Sequence, residues 1–269
     1  MGRIMTKVEN YINGNLVSYS TNNIDVENPS TGENIRKVIL SNEKDFELAI
    51  NSSHKAFLEW SQVTPLKRSR IISKYKELIE KNVSDIAKIV SEEHGKTLED
   101  AKGSVIRGLE VVEFACGIPH LLKGEFSQNV GTGIDSWSIR QPIGITAGIT
   151  PFNFPAMVPM WMYPISIACG NSFILKPSEK NPSCSLRLAE LFSEAGLPDG
   201  VFNVLQGDKN VVNMILESDK ISSISFVGST PVAKYIYEKS SKFGKRVQAL
   251  GGAKNHLLVM PDANIDQAV

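Results

Sequence analysis

Cysteine is scarce in this sequence, and neither sign of charge is in excess. Only Cys116, Cys169 and Cys184 occur in 269 residues, odd in number and widely spaced, which fits a reducing, cytoplasmic setting and not a disulfide framework. Lys and Arg total 29 against 29 Asp and Glu, so no cationic excess points to nucleic acid. The histidines, His54, His94, His120 and His256, lack ligand spacing and a cysteine partner, so no metal site is expected. No apolar run reaches ~18 residues and the first residues carry no signal-peptide core, so neither a membrane span nor an exported product is expected. Repeats of ~20–50 residues and low-complexity tracts are also missing. The dinucleotide fingerprint G-x-G-x-x-G occurs nowhere, so any dinucleotide site must be built otherwise.

What is present is a succession of periodicities. Around Asn-Gly and Thr-Gly turns, "VENYINGNLV" and "IDVENPSTGENIRKVI" alternate apolar and polar residues and predict short β-hairpins. Between Ser41 and Gly117 the spacing turns helical, through Phe46, Ala49, Ile50, Trp60, Ile72, Tyr75, Ile79, Ile86 and Val90. Three or four helices are expected there, one of them starting at Thr64-Pro65 with an N-cap and a first-turn proline. From Gly131, "GTGIDSWSIRQPIG" alternates again and predicts a projecting hairpin of the kind that pairs with a neighbouring subunit. After Gly144 come "ITAGI", "SFILK", "VFNVLQG" and "ISSISFVG", each followed by a helical segment. Such strand–helix units in series specify an α/β fold with a doubly wound parallel sheet.

Ligands of such a sheet bind beyond the carboxyl ends of its strands. There the sequence places "TPFNFP", "KPSE", "QGD" and "FVGSTP". Pro151 and Pro155 stiffen the first segment around Asn153. In "KPSE", Lys176 can donate to ribose hydroxyls and Glu179 accept from them, and Glu179 would repel a 2′-phosphate. A solvated Lys–Glu turn is the plainer alternative. In "FVGSTP", Gly228 admits close backbone approach, Ser229 or Thr230 caps a helix, and Pro231 takes the first helical position, leaving free N–H groups for an anion. An ordinary cap after a tight turn explains that segment equally well.

The ordered set "TPFNFP", "ILKPSE", "GLPDGVFNVLQG", "SFVGST" and "LGGAKNH" resembles the front portion of the aldehyde dehydrogenases, from about Asn10 onward. The resemblance implies a Rossmann-like cofactor domain over residues 1–128 and 144–248, a β-hairpin oligomerisation arm over 129–143, and the start of a truncated catalytic domain over 249–269. It implies a homo-oligomer, dimer or tetramer, and NAD as cofactor, contacted by Thr150, Phe152, Lys176, Glu179, Gly207, Gly228, Ser229 and Leu250. Asn153 matches the family amide that donates to the thiohemiacetal oxyanion, a task that needs a fixed backbone.

Two departures narrow the resemblance. Ala249 stands where the family holds the glutamate that activates water, and a methyl group is no base. Phe152 replaces the more frequent Trp. Both features resemble the methylmalonate-semialdehyde dehydrogenase branch, which implies oxidation of methylmalonate or malonate semialdehyde with loss of carbon dioxide and coenzyme A as acyl acceptor. That branch carries an arginine for the substrate carboxylate, matched here by Arg107; "SVIRGLEVVEF" alone fits a solvated arginine on an amphipathic helix equally well, and the resemblance favours substrate binding. The family cysteine is expected beyond Val269, so the chain is expected to be inactive alone. A hydrolytic aldehyde dehydrogenase and a non-catalytic nucleotide-binding or assembly module remain as alternatives.

Overall fold

A computed structural model describes residues 7–268 of the chain. The N-terminal part holds β1 (Lys7–Val8), β2 (Asn10–Ile12), β3 (Asn15–Val17), β4 (Asn23–Asn28) and β5 (Glu33–Ile39). The Asn-Gly turn closes β2 onto β3 with positive φ at both Asn13 (53°) and Gly14 (76°), as a tight primed turn requires. The Thr-Gly turn joins β4 to β5, with Gly32 at φ 71°. These strands divide between two sheets. The pair β4–β5 takes β1 as a parallel neighbour, whereas β2 adds antiparallel to β10 of the main sheet.

Helices α1 (Glu43–Trp60), α2 (Pro65–His94), α3 (Leu98–Cys116) and α4 (Ile118–Leu121) follow, in agreement with the helical spacing. Asn42 and Asp45 close a capping box on α1, and Thr64 caps α2 ahead of Pro65. A two-stranded hairpin of β6 (Phe126–Gly131) and β7 (Ile134–Trp137) comes next, with Phe126, Val130, Ile134 and Trp137 all exposed.

The α/β part runs through β8 (Ile145–Ile149), α5 (Met157–Met160), α6 (Tyr163–Ala168), β9 (Ser172–Lys176), α7 (Ser183–Glu194), β10 (Phe202–Val204), α8 (Lys209–Glu217), β11 (Ile221–Val227), α9 (Thr230–Lys242), β12 (Arg246–Leu250) and α10 (Ile265–Ala268). The seven-stranded sheet has the order β12-β11-β8-β9-β10-β2-β3, with β12 through β10 parallel. β8 and β9 are buried at every residue, as burial between two helix layers demands. Along β9, Phe173 and Leu175 enter a core with Tyr75, Tyr163 and Phe192, while Ile174 enters another with Phe46, Ile50, Val211 and Ile236. Helices α2, α3, α6 and α7 therefore cover one face and α1, α8 and α9 the other, which is the doubly wound arrangement. One strand escapes the sequence pattern: β12, at the sheet edge, has no buried residue among its five.

Candidate functional site

In a doubly wound sheet the ligand crevice opens at the topological switch point. Here that point lies between β8 and β11: the chain proceeds from β8 to β9 and β10 on one side, then returns to β11 and β12 on the other. Register aligns Ala249, Phe226, Ile149 and Lys176 in a single row across β12, β11, β8 and β9. The residues expected at the strand ends follow directly after this row.

Backbone pairing ties four of them together. Thr150 is buried, and its N–H donates to the Lys176 carbonyl at 3.2 Å. Gly228 N–H donates to the Leu250 carbonyl at 3.1 Å, leaving the Leu250 side chain exposed. A Cβ on Gly228 would lie 2.4 Å from Phe226 Cζ, so a side chain here would displace that ring, and glycine favours packing as well as close approach of a ligand. Gly207 joins this edge after β10 but is buried, with φ 150° and a Cβ position 2.3 Å from Val211, so both its backbone and its packing onto α8 favour glycine.

Lys176 is buried, and its Nζ lies 3.1 Å from Glu179 Oε2, whose side chain is 34% exposed. The ammonium is thus held at the strand end while the carboxylate keeps a face to solvent, which suits a pair shared with hydroxyl groups. At α9 the expected cap is corrected. Ser229 has the extended backbone of an N-cap, yet its hydroxyl makes no capping bond, and Thr230 Oγ1 instead accepts from Gly252 N–H at 3.1 Å. Pro231 sits one residue inside the helix and not at its first position. Among the described residues no side chain caps the first turn, so its N–H groups and the helix dipole remain available to an anion.

The segment after β8 is held from several sides. Phe152 is 49% exposed, its ring stacked at 6.4 Å on His94 and covered by Lys180 Nζ at 4.7 Å. Asn181 Nδ2 donates to the Phe152 carbonyl, Lys96 Nζ donates to the Asn153 carbonyl at 2.9 Å, and Val158 N–H donates to the Phe154 carbonyl at 3.1 Å. Lys96 also covers the Phe154 ring at 4.1 Å. The Asn153 side chain is exposed, and among the described residues no hydrogen bond engages its amide. A local turn bonded through that amide is therefore not what holds this asparagine. Burial lowers the pKa of His94, with Lys96 adding to the effect, so the imidazole is neutral near pH 7. Lys96 is likewise lowered by burial, against the opposing pull of Asp100.

Lys96, Lys180, Asn181 and His94 were not legible as site residues, because the first three act on backbone carbonyls or ring faces supplied by another element. Arg107 is exposed on α3. Its neighbour Gly108 brings that helix against α5, where a Cβ would lie 3.1 Å from Met157 Cα. Arg107 thus rides on the helix packed beside the one that follows Asn153. The cysteines do not join this edge as nucleophiles: Cys184 is buried, which pushes its thiol pKa far up, and Cys169 lies before β9 begins and is raised by burial too. Cys116 ends α3, half-buried.

Comparison with known proteins gives a consistent placement. A malonate-semialdehyde dehydrogenase of Pseudomonas aeruginosa is 57% identical over 265 residues, covering 98% of this chain and 53% of the relative. A crystal structure from Sinorhizobium meliloti 1021, of a protein assigned as methylmalonate-semialdehyde dehydrogenase and complexed with NAD, matches with a TM-score of 0.93 and 50% identity, over 99% of this chain and 55% of that one. The methylmalonate-semialdehyde dehydrogenase of Oceanimonas doudoroffii matches with a TM-score of 0.92 and 55% identity, over 98% of this chain and 54% of that one. The chain spans about half the length of these relatives. The sequence model of the aldehyde dehydrogenase family matches residues 16–269, and the chain belongs to that family.

Proposed function

We propose that this chain is the cofactor-binding part of an NAD-dependent, coenzyme A-acylating semialdehyde dehydrogenase. Its substrates are methylmalonate semialdehyde and malonate semialdehyde, and its products are an acyl-CoA and carbon dioxide. The names of the relatives and the NAD held by the Sinorhizobium meliloti protein support the substrate class and the cofactor. The carboxyl edge fits a dinucleotide: an uncapped helix start suits a pyrophosphate, and the Lys176–Glu179 pair suits ribose hydroxyls. Phe152, Gly228, Ser229 and Leu250 complete that surface, with Thr150 and Gly207 buried beneath it. When bound, NAD accepts the hydride.

The remaining roles belong to this chain's own groups and to a cysteine thiolate from outside it. Asn153 directs an unengaged amide N–H to the oxyanion that forms when the thiolate attacks the aldehyde carbon. Arg107 offers a planar fork to the substrate carboxylate. Exposed Phe126, Val130, Ile134 and Trp137 on the β6–β7 hairpin suit burial against a second subunit, so the hairpin serves as the oligomerisation arm of a dimer or tetramer. Free cysteines fit a cytoplasmic enzyme.

The observation that carries the acylating assignment is Ala249. It lies in the row of strand-end residues beside Phe226, yet offers no base to water. A coenzyme A thiol is already a few per cent thiolate near neutral pH and intrinsically more nucleophilic, so loss of a base costs hydrolysis more than thiolysis. In the full-length enzyme without coenzyme A, NADH should form in a burst of about one equivalent per site and then slow, with turnover restored by the thiol. Equal steady rates with and without coenzyme A would favour a hydrolytic aldehyde dehydrogenase instead.

A further inference from the structure

The junction between α2 and α3 reaches across the fold to the segment that presents Asn153. Gly95 ends α2 at φ 84°, and Thr97 opens α3 by accepting from Asp100 N–H at 3.2 Å. Lys96, between these two caps, has its own carbonyl tied to Ser91 Oγ at 2.8 Å. Its backbone is therefore fixed where chain direction changes.

From that fixed base the ammonium makes two contacts on one short segment, the Asn153 carbonyl at 2.9 Å and the Phe154 ring at 4.1 Å. The segment needs external restraint. Pro151 and Pro155 carry no N–H, and Asn153 lies between β8 and α5, outside both ladders. The carbonyls of Phe152, Asn153 and Phe154 each accept a donor from a different place: Asn181 beyond β9, Lys96 at the α2–α3 junction, and Val158 in α5. The Asn153 Cα thus sits between two held peptide groups: Asn181 holds the one before it through the Phe152 carbonyl, and Lys96 the one after it through the Asn153 carbonyl. A charge-assisted hydrogen bond is stronger than a neutral one and directional, which suits it to fixing a carbonyl.

We propose that Lys96 is a positioning residue for Asn153. It holds the asparagine backbone so that the side-chain amide meets the developing oxyanion. The proposal rests on the oxyanion role given to Asn153 above, and the test separates the two. Without Lys96, the Asn153 peptide can rotate and displace its amide, and misplacement of a donor by ~1 Å costs rate on the order of 100-fold while leaving ground-state binding intact.

The test uses the full-length enzyme, with NADH burst rate, aldehyde KM and NAD affinity measured for Asn153→Ala, Lys96→Met, Lys96→Arg and the Asn153→Ala/Lys96→Met double variant. Thermal midpoints confirm that each variant folds. Lys96→Met should slow the burst by about 10- to 100-fold with KM and NAD affinity within about twofold of wild type. Lys96→Arg, which keeps a charged donor, should recover most of that loss. In the Asn153→Ala background Lys96→Met should cost no further rate, because its effect passes through the missing amide. Additive losses, or a loss confined to KM, would overturn the positioning role while leaving Asn153 in place. An unaltered burst in Asn153→Ala would remove the oxyanion reading, and this proposal with it.

Discussion

Glu93, in the last turn of α2, is a carboxyl group buried where the fold needs its oxygens. Oε2 accepts from Ser183 N–H at 3.0 Å, fixing the start of α7, and Oε1 meets Arg36 Nη1 at 3.2 Å. Burial outweighs these favourable partners and pushes its pKa from 4.5 up to about 6. The folded state therefore binds the proton more tightly than the unfolded chain. Stability from this group is full below about pH 4.5 and is lost as pH rises through about 6. At 1.36 kcal/mol per tenfold change in proton affinity, the loss is about 2 kcal/mol. Glu93→Gln cannot titrate, and its single acceptor oxygen forfeits one of the two bonds at every pH. That constant cost cancels when stabilities are compared across pH. Urea unfolding of wild type and Glu93→Gln at pH 4.5 and pH 7 should show the wild type losing about 2 kcal/mol relative to the variant as pH rises. A difference independent of pH, or a wild type gaining on the variant, would refute the reasoning.

Two further outcomes follow from the same geometry. In the full-length enzyme, Arg107→Leu should raise KM about tenfold or more for carboxylated aldehydes and spare uncharged ones such as propanal, and equal losses for both would make Arg107 structural. Gly228→Ala drives a methyl into the Phe226 ring, 2.4 Å away, and should destabilise the chain by about 1–3 kcal/mol in urea unfolding; an unchanged midpoint would contradict the packing account.

The sequence made the centre of the fold plain and its joins obscure. "ITAGI" and "SFILK" read as strands because both faces are buried, so apolar and small residues fill them up to Lys176 at the end of β9. Arg246–Leu250 offered no such run, since the edge strand β12 is open to solvent and its short pattern merged with the "LGG" motif. The Asn-Gly turn identified the β2–β3 hairpin but not its partner, because the pairing of Tyr11 with Val204 depends on the whole intervening chain. Asn153 and the Lys176–Glu179 pair stood out only as members of an ordered set of motifs, because each segment alone reads as an ordinary turn. Lys96 and Asn181 did not, because a side chain that acts on a distant backbone carbonyl leaves no spacing to detect.

The claim on which the rest depends is that this chain's own carboxyl edge forms an NAD site, with Glu179 turned toward the ribose hydroxyls. Calorimetric titration of the chain with NAD and with NADP tests it directly. Like-charge repulsion between Glu179 and a 2′-phosphate at the surface is worth on the order of 1 kcal/mol or more, so NAD should bind more tightly by roughly tenfold. Tighter binding of NADP, or no heat of binding with NAD at millimolar concentration, would contradict it.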